Sequence, residues 1–478
     1  MELVNRNSYK KFWIIFYIFL VVYAGLMMYL CNALNIWVDE AYTLDTTSSK
    51  YSLNGVIHQS YYFESQPPVY FVLLWLWRKI SDAVFFARMF SLISVGLAAW
   101  YFFRSVRLIS GTETSKWLVI IFLLNPFTLF AALEIRLYAF LLFLSAMALY
   151  YYLKYYTAGS KKSLLAFAVL CLLALYTQYF FAFLIAGLVF ATLVFKGWKP
   201  AFTAALYVLP AVLLFMPNVF LMDDQLGMVQ SQKEVISMSG RMSLVVHSPQ
   251  NLILSLETLL VHKWVRLFIL GVFIALLVVS YLSAAKKNTG SNTSYLPVIK
   301  FCLLSAITIV ALLAVFIGIT GIDHQDRYFT IALPLFILCL SFFGVHGIFY
   351  GRLLFGIFVL YYGFLFLYHY NDPVKQFDYK KTAAYIQKIE KPNEPLLFYH
   401  GTLVLPFQYY YSGSNSLVPL PHEVHMDTTY MVNIADTAEL KQSIGAVKGA
   451  PSSYLLITDL NLPKYKNDPN RKMVNDYL

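Results

Sequence analysis

Long apolar runs recur along the chain and are separated by short polar segments. A helix of about 20 apolar residues crosses the roughly 30 Å hydrocarbon core of a bilayer and satisfies its own backbone hydrogen bonds there. The pattern therefore predicts an α-helical polytopic membrane protein with about eleven transmembrane helices. The predicted spans are 12–31, 85–103, 117–134, 136–153, 163–177, 180–196, 201–221, 264–284, 297–318, 328–346 and 353–370.

One shorter apolar run, residues 67–77, is left out of this set. It begins with Pro67 and Pro68, contains Trp75 and Trp77, and is too short to cross a bilayer. Prolines suit the start of a helix, and tryptophans favour the membrane interface. We therefore expect a juxtamembrane helix that lies along the outer surface of the membrane.

Lysine and arginine residues indicate the topology, because cytoplasmic loops are enriched in both. Arg6, Lys10 and Lys11 precede the first predicted span and place the N-terminus in the cytoplasm. The basic residues of five later loops then fall on the same side. They are Arg104 and Arg107, then Lys154, Lys161 and Lys162, then Lys196 and Lys199, then Lys286, Lys287 and Lys300, and finally Arg352. We predict a multi-pass protein of a bacterial inner membrane.

The composition agrees with this class, since 59% of the residues are hydrophobic and only 13% are charged. A soluble globular domain is much less apolar. The net charge of +11 comes mostly from short loops between spans and forms no basic domain or stripe. Membrane lipids are therefore expected partners, and nucleic acid is not.

The composition changes after Tyr370. The following 108 residues are more polar, with a helix pattern around 380–390 and short apolar strand candidates at 396–400 and 453–458. We predict a transmembrane domain, residues 1–370, with a first periplasmic loop at 32–84 and a lid loop at 222–263, followed by a small periplasmic α/β domain, residues 371–478.

Two adjacent carboxylates, Asp39 and Glu40, follow the first span directly and open a polar loop. Other unusual polar residues fall on the same predicted outer face, whereas the centres of the spans carry almost no charge. This distribution is typical of an enzyme that acts on a lipid headgroup and not of an ion-coupled carrier. The outer-face residues include Gln66, Arg88, Glu134, Arg136, Gln178, Tyr179, Asp223, Asp224, Lys263, Arg327 and Tyr328.

Transfer of a sugar from a lipid phosphate to a hydroxyl needs a carboxylate to take the proton and cations to hold the departing phosphate. Either Asp39 or Glu40 could be that base. The candidate cations are Arg88, Arg136, Lys263 and Arg327. Structural roles stay open for all of these residues: the carboxylates could cap a helix, and the arginines could anchor span ends at the membrane interface.

Six short motifs occur in order along the membrane part. They are Asp39-Glu40-Ala41-Tyr42; Gln66-Pro67-Pro68-Val69-Tyr70; Arg88 with Ser91 and Gly96; Asn125-Pro126 with Glu134-Ile135-Arg136-Leu137-Tyr138; Tyr176-Thr177-Gln178-Tyr179-Phe180; and Arg327-Tyr328. Together they resemble the GT-C glycosyltransferases, and in particular the bacterial relatives of dolichyl-phosphate-mannose protein mannosyltransferases and of lipid A aminoarabinose transferase.

The resemblance implies a polyprenyl-phosphate sugar as donor, a lipid, glycan or protein acceptor, and an inverting single displacement without metal or other cofactor. It makes Asp39 the general base and Glu40 an orienting or acceptor-binding group. Tyr70 and Tyr138 join the other motif residues in donor and substrate binding. The family commonly has His or Lys at the position of Gln66, and often His at the position of Gln178, so the arginines must carry more of the phosphate contact.

Two other classes of function remain open. A transporter or flippase of lipid-linked sugars would use the carboxylates in a gate, and a scaffold would bind a partner through its tail. A metal site is not expected, because Asp323, His324 and Asp326 lie together in one short loop without a recognised ligand spacing.

Overall fold

The computed structural model describes residues 2–222, 296–321, 325–346, 348–371, 374–375, 377–399, 401–420, 438, 441–442 and 455–458. The predicted span 264–284, nearly all of the predicted lid loop 222–263, and the residues Asp223, Asp224, Lys263, Asp323 and His324 lie outside the described residues.

The described helices are α1 (Glu2–Ala33), α2 (Val38–Thr46), α3 (Leu53–Tyr62), α4 (Val69–Arg78), α5 (Val84–Ser110), α6 (Thr112–Leu124), α7 (Pro126–Leu133), α8 (Tyr138–Ala158), α9 (Lys161–Leu175), α10 (Phe181–Lys196), α11 (Trp198–Phe215), α12 (Leu296–Thr320), a 3-10 helix (Asp326–Ala332), α13 (Leu333–Cys339), α14 (Ser341–His346), α15 (Ile348–Tyr370), α16 (Tyr379–Ile389), a short 3-10 helix (Gly401–Leu403) and α17 (Val404–Gln408). The strands are β1 (Leu396–Tyr399), β2 (Leu417–Pro419) and β3 (Leu455–Thr458).

The membrane character of the protein is clear from these helices. In the described part of the chain, six are long and apolar enough to cross a membrane, or up to seven if α6 and α7 form one span bent by 59°. Helices also occupy all ten predicted spans that lie in that part. The predicted class, an α-helical polytopic membrane protein, is confirmed, and the short run at 67–77 is helical as expected.

The bend between α6 and α7 has a local cause at Asn125. Its side-chain oxygen accepts hydrogen bonds from the backbone N–H groups of Phe127 and Thr128, at 3.0 and 3.4 Å, and Pro126 occupies the first turn of the new helix. An N-capping Asn followed by Pro starts a helix and cannot continue the previous one. The apolar run at 117–134 is therefore divided into two helices.

Two compact units make up the chain. The first consists of Met1–Asn32 and Gln66–Asn371, and the second of Ala33–Ser65 and Asp372–Leu478. Part of the predicted first periplasmic loop is thus grouped with the tail. The division into a transmembrane domain, residues 1–370, and a C-terminal domain, residues 371–478, stays a prediction.

Aromatic contacts and close helix approaches form the core of the first unit. Phe102 of α5 stacks on Phe122 of α6 with ring centroids 4.7 Å apart, and Tyr156 of α8 stacks on Phe301 of α12 at 4.0 Å. Helices α10 and α12 pack closely at Gly187, where a Cβ atom would lie 2.9 Å from the backbone oxygen of Ser305. A small residue at such a position lets two membrane helices approach each other.

The second unit contains a three-stranded parallel sheet in the order β2-β1-β3. All four residues of the central strand β1 are buried, and one face of α16 packs on it through Tyr379, Ala383 and Ile386. The helix predicted around 380–390 and the strands predicted at 396–400 and 453–458 are confirmed. Strand β2 was not predicted, because three residues that end in proline give a weak strand pattern.

Candidate active site

The segment with Asp39 and Glu40, predicted to open a polar loop, forms a short helix. Helix α2 begins at Val38, with Trp37 in an extended conformation as its N-cap, and both carboxylates lie in its first turn. Acidic residues suit this position because the N-terminus of a helix carries a partial positive charge. The carboxylates are therefore held on a regular element.

The two carboxylates have different surroundings. Glu40 is fully buried, and its Oε1 lies 3.0 Å from the Nζ atom of Lys375, whose side chain is 11% exposed. Asp39 is only partly buried. Glu40 is thus an ion-paired interior group, whereas Asp39 is the more accessible of the two.

Asn35 fastens the chain before α2 to the chain around Lys375. Its Oδ1 accepts a hydrogen bond from the Lys375 backbone N–H at 2.6 Å, and its Nδ2 donates to the backbone oxygens of Lys375, at 3.1 Å, and Phe377. The Ile36 N–H donates to the hydroxyl of Tyr410 at 2.7 Å. The N-terminus of α2 is consequently fixed by side-chain and backbone contacts within the second unit.

A third carboxylate contacts α2 one turn further along. The Thr43 hydroxyl donates to Oε1 of Glu64 at 2.9 Å, and Glu64 is 8% exposed. Sequence reasoning missed Glu64, Asn35 and Lys375. No local pattern links them to Asp39 and Glu40, and Lys375 lies 335 positions beyond Glu40, so nothing in the sequence pairs the two.

The candidate residues of the first unit lie at helix ends and turns, beginning with Arg88 near the start of α5. Arg88 is fully buried, and its Nη1 donates to the Cys31 backbone oxygen at 3.0 Å. One turn later, the Ser91 hydroxyl donates to the Glu134 backbone oxygen at 2.5 Å. Glu134 and Arg136 are 2% and 8% exposed in the turn between α7 and α8. A buried charge in a membrane protein is costly and usually marks a functional group.

Tyr138 is the first residue of α8, and its ring contacts Arg327. The guanidinium carbon of Arg327 lies 5.5 Å from the centre of the Tyr138 ring, within cation–π distance. Arg327 Nε also donates to the side-chain oxygen of Gln325. The ring of the next residue, Tyr328, meets Phe180 edge to face, with ring centroids 4.7 Å apart. The 3-10 helix thus places Arg327 next to the start of α8 and Tyr328 next to the turn between α9 and α10.

The segment from Gln66 to Tyr70 meets the turn before α10. The Val69 N–H donates to the Tyr176 backbone oxygen at 3.0 Å, and the buried Tyr70 ring lies 5.9 Å from the ring of Phe90 on α5. Within the described part of the chain, the buried Oε1 of Gln66 has no hydrogen-bond donor. A donor such as a sugar hydroxyl would satisfy it.

Gln178 and Tyr179 lie in that same turn. Gln178 is 3% exposed, and the Tyr179 ring lies 5.9 Å from that of Phe215 on α11. The candidate residues of the first unit therefore all lie at helix ends or in the turns next to them. These are Gln66, Tyr70, Arg88, Glu134, Arg136, Tyr138, Gln178, Tyr179, Arg327 and Tyr328. Lys263 lies outside the described residues.

Among the described residues, no group of three or more His, Cys, Asp or Glu side chains is placed to hold a metal ion. The described part of Asp323-His324-Gln325-Asp326 begins at Gln325. The chemistry that the described site can supply is that of arginines, carboxylates, amides and phenols.

The fold and these residues define a polytopic helical membrane protein in which buried arginines lie at one end of the helices. No protein-family model and no curated protein sequence matches the chain. Two crystal structures of ArnT from Cupriavidus metallidurans are similar to it. The apo structure has 11% sequence identity and a TM-score of 0.35, over 82% of this chain and 84% of ArnT. The structure bound to undecaprenyl phosphate has 12% identity and a TM-score of 0.35, over 92% of this chain and 89% of ArnT. These values describe a distant likeness, and the function proposed below depends on the residues of the site.

Proposed function

We propose that this protein is a GT-C-type glycosyltransferase, which transfers a monosaccharide from a polyprenyl-phosphate donor to an acceptor hydroxyl at the periplasmic face of a bacterial inner membrane. The observation that carries the proposal is the group of Arg88, Arg136 and Arg327 at one end of the helices, two of them buried. The sequence motifs that resemble the GT-C glycosyltransferases contain the same residues. The acceptor is a hydroxyl of a lipid, a glycan or a protein.

A phosphate diester of a lipid-linked sugar suits the arginine group. The planar guanidinium pairs with two phosphate oxygens at once, and a site shielded from water strengthens that attraction. As the bond between the anomeric carbon and the phosphate oxygen breaks, negative charge accumulates on the departing phosphate. Arginines already in place stabilise that charge without further rearrangement. The partly buried Gln66 and the buried Gln178 contribute hydrogen bonds but no charge.

In the proposed reaction, Asp39 takes the proton of the acceptor hydroxyl. The acceptor oxygen attacks the anomeric carbon from the side opposite the phosphate, and the polyprenyl phosphate leaves with the electron pair, which inverts the anomeric centre. Asp39 is favoured as the base because it is accessible, whereas the Glu40 carboxylate is buried and paired with Lys375. Glu40 orients the first turn of α2.

The test is sugar transfer in proteoliposomes with a panel of radiolabelled polyprenyl-phosphate monosaccharides. Wild type is compared with Asp39→Asn at equal amounts of folded protein. Asp45→Asn is the matched control, because Asp45 lies on the same helix and pairs with the exposed Lys50 at 2.6 Å. The loss of a general base costs roughly 100- to 10,000-fold in rate. We expect that loss for Asp39→Asn and unchanged transfer for Asp45→Asn.

Other outcomes contradict the proposal. If wild type consumes no donor but moves the labelled lipid between leaflets, the protein is a transporter. If Asp39→Asn transfers sugar at the wild-type rate, Asp39 is not the base. If neither transfer nor lipid movement occurs and a protein binds the tail, the scaffold hypothesis is favoured.

A further inference from the structure

Lys375 and Glu40 form an ion pair that nothing in the sequence motifs suggests. The Nζ and Oε1 atoms are 3.0 Å apart, the Glu40 side chain is fully buried, and that of Lys375 is 11% exposed. Both residues belong to the second compact unit. Lys375 precedes the sheet and α16, whereas Glu40 lies in the first turn of α2, next to Asp39.

Burial makes the loss of one partner of this pair more costly than it would be at the surface. Exposed ion pairs contribute little, but removal of one partner of a buried pair leaves an uncompensated charge in the interior. Asp45 of the same helix offers a contrast, because it pairs with Lys50 beyond the helix end and the two side chains are 25% and 53% exposed. The Asp45–Lys50 pair can therefore be broken as a control without the same consequence.

Lys375 is also attached through its backbone. Asn35 accepts from the Lys375 N–H at 2.6 Å and donates to the Lys375 carbonyl oxygen at 3.1 Å. The side chain of Lys375 thus holds the first turn of α2, and its backbone holds the residues just before α2. Two points of attachment from one residue fix both the place and the direction of the helix start.

We propose that Lys375 is a positioning residue of the transferase, which acts through Glu40 on the first turn of α2 and so on Asp39. This inference rests on the proposed function. Lys375 keeps Glu40 in place as a charged neighbour and balances its charge, so that Asp39 is not adjacent to an uncompensated carboxylate. Among the described residues, two further ionisable groups contact α2 and the residue before it: Glu64 through the Thr43 hydroxyl, and Tyr410 through the Ile36 N–H.

The experiment measures kcat, the donor KM and the unfolding temperature for Lys375→Met, Lys375→Arg, Glu40→Gln and the double variant Lys375→Met/Glu40→Gln. Lys50→Met is the control. A displaced catalytic group can lose about 100-fold in rate. We expect Lys375→Met to lower kcat by about that factor, with the donor KM unchanged within about twofold, and Lys375→Arg to recover most of the loss.

The double variant separates positioning from simple stabilisation. Because it carries no unpaired buried charge, its thermal stability should recover toward that of wild type. We expect its kcat to stay low, because the link between residue 375 and α2 is still absent.

Two results overturn the proposal. If Lys375→Met has wild-type kcat while wild type is active, Lys375 does not position the site. If the double variant regains kcat together with its stability, the pair is structural only. If wild type itself transfers no sugar, the proposed function is wrong. Both results above require an active wild type, so the two failures can be told apart.

Discussion

The Arg327 guanidinium lies over the Tyr138 ring, 5.5 Å from its centre, and so joins the 3-10 helix to the first residue of α8. An aromatic face attracts a cation electrostatically, and this attraction helps to orient the guanidinium. Arg327 is therefore oriented by an aromatic ring and by the side chain of Gln325.

Replacement of Tyr138 tests this orientation. A cation–π contact contributes about 0.5 to 1 kcal/mol at a partly exposed site, which corresponds to a change of about two- to fivefold in binding. We expect Tyr138→Leu to raise the donor KM by that factor and Tyr138→Phe, which keeps the aromatic face, to leave it unchanged. Both variants are compared in the proteoliposome assay. A KM that rises equally in Tyr138→Phe would show that the hydroxyl, and not the ring, is the important group.

The buried Arg88 has a structural and a proposed chemical role, and two substitutions distinguish them. Arg88→Ala removes the charged hydrogen bond to the Cys31 carbonyl, and such a bond contributes about 1.5 to 3 kcal/mol. Arg88→Lys keeps the charge but loses the planar fork. We expect Arg88→Ala to lower thermal stability and Arg88→Lys to lower kcat by about 100-fold with a smaller effect on stability.

Cys31→Ala is the matched control for Arg88, because it changes the side chain and leaves the accepting carbonyl in place. We expect it to retain wild-type kcat. Arg88→Lys with wild-type kcat and donor KM would show that Arg88 only joins α5 to α1.

The close approach of α10 and α12 at Gly187 gives a prediction for the packing of the first unit. A Cβ at Gly187 would lie 2.9 Å from the Ser305 backbone oxygen and 2.9 Å from Cγ1 of Ile309, and the backbone cannot move away as a flexible side chain can. Overpacking of this kind costs about 1 to 3 kcal/mol. We expect Gly187→Ala to lower the unfolding temperature in detergent.

Gly96 of α5 is the control for Gly187, since a Cβ there would meet nothing within 4 Å. Gly96→Ala should be neutral or stabilising by up to about 1 kcal/mol, because alanine favours a helix interior over glycine. Equal destabilisation by the two substitutions would contradict the close packing of α10 against α12.

The part of the fold that the sequence predicts is the part that depends on short stretches of chain. The length of the apolar runs predicts the helical class. The distribution of basic residues among the loops predicts a topology in which Arg88, Arg136 and Arg327 share one face. The contacts from Ser91 to Glu134 and from Arg327 to Tyr138 agree with that grouping. The orientation of the protein in the membrane stays a prediction.

The part that the sequence does not predict depends on contacts between distant residues. Lys375 follows the last predicted span and carries no motif, so its pairing with Glu40 is visible only in the structure. The sequence likewise does not predict the contact of Glu64 with α2, which is a hydrogen bond from the Thr43 hydroxyl. The bend at Asn125 is predictable from the sequence, since Asn followed by Pro is a helix-start signal inside an apolar run.

Asp378 provides a pH-dependent test in the second unit. Its Oδ1 accepts from the Lys381 backbone N–H at 2.9 Å and caps α16, and its Oδ2 lies 3.0 Å from the Lys381 ammonium. Burial alone would raise the pKa of this carboxyl, but the hydrogen bonds and charge of Lys381, with that of Lys380, lower it below its ordinary value. A folded-state pKa below the unfolded one adds stability above the unfolded value of about 3.9, and that stability is lost as the pH falls through the folded pKa.

We therefore expect Asp378→Ala to weaken α16 by about 1 kcal/mol near neutral pH, as for other lost N-caps. Asp378→Asn keeps a capping oxygen but has no proton to gain, so its α16 should not lose this contribution in acid. Hydrogen exchange of the α16 amides in the full-length protein, corrected for intrinsic rates at pH 7 and below pH 4, measures both effects. The acid-dependent loss of protection should be larger in wild type than in Asp378→Asn. An equal loss in the two proteins would mean that another group controls the acid sensitivity of this helix.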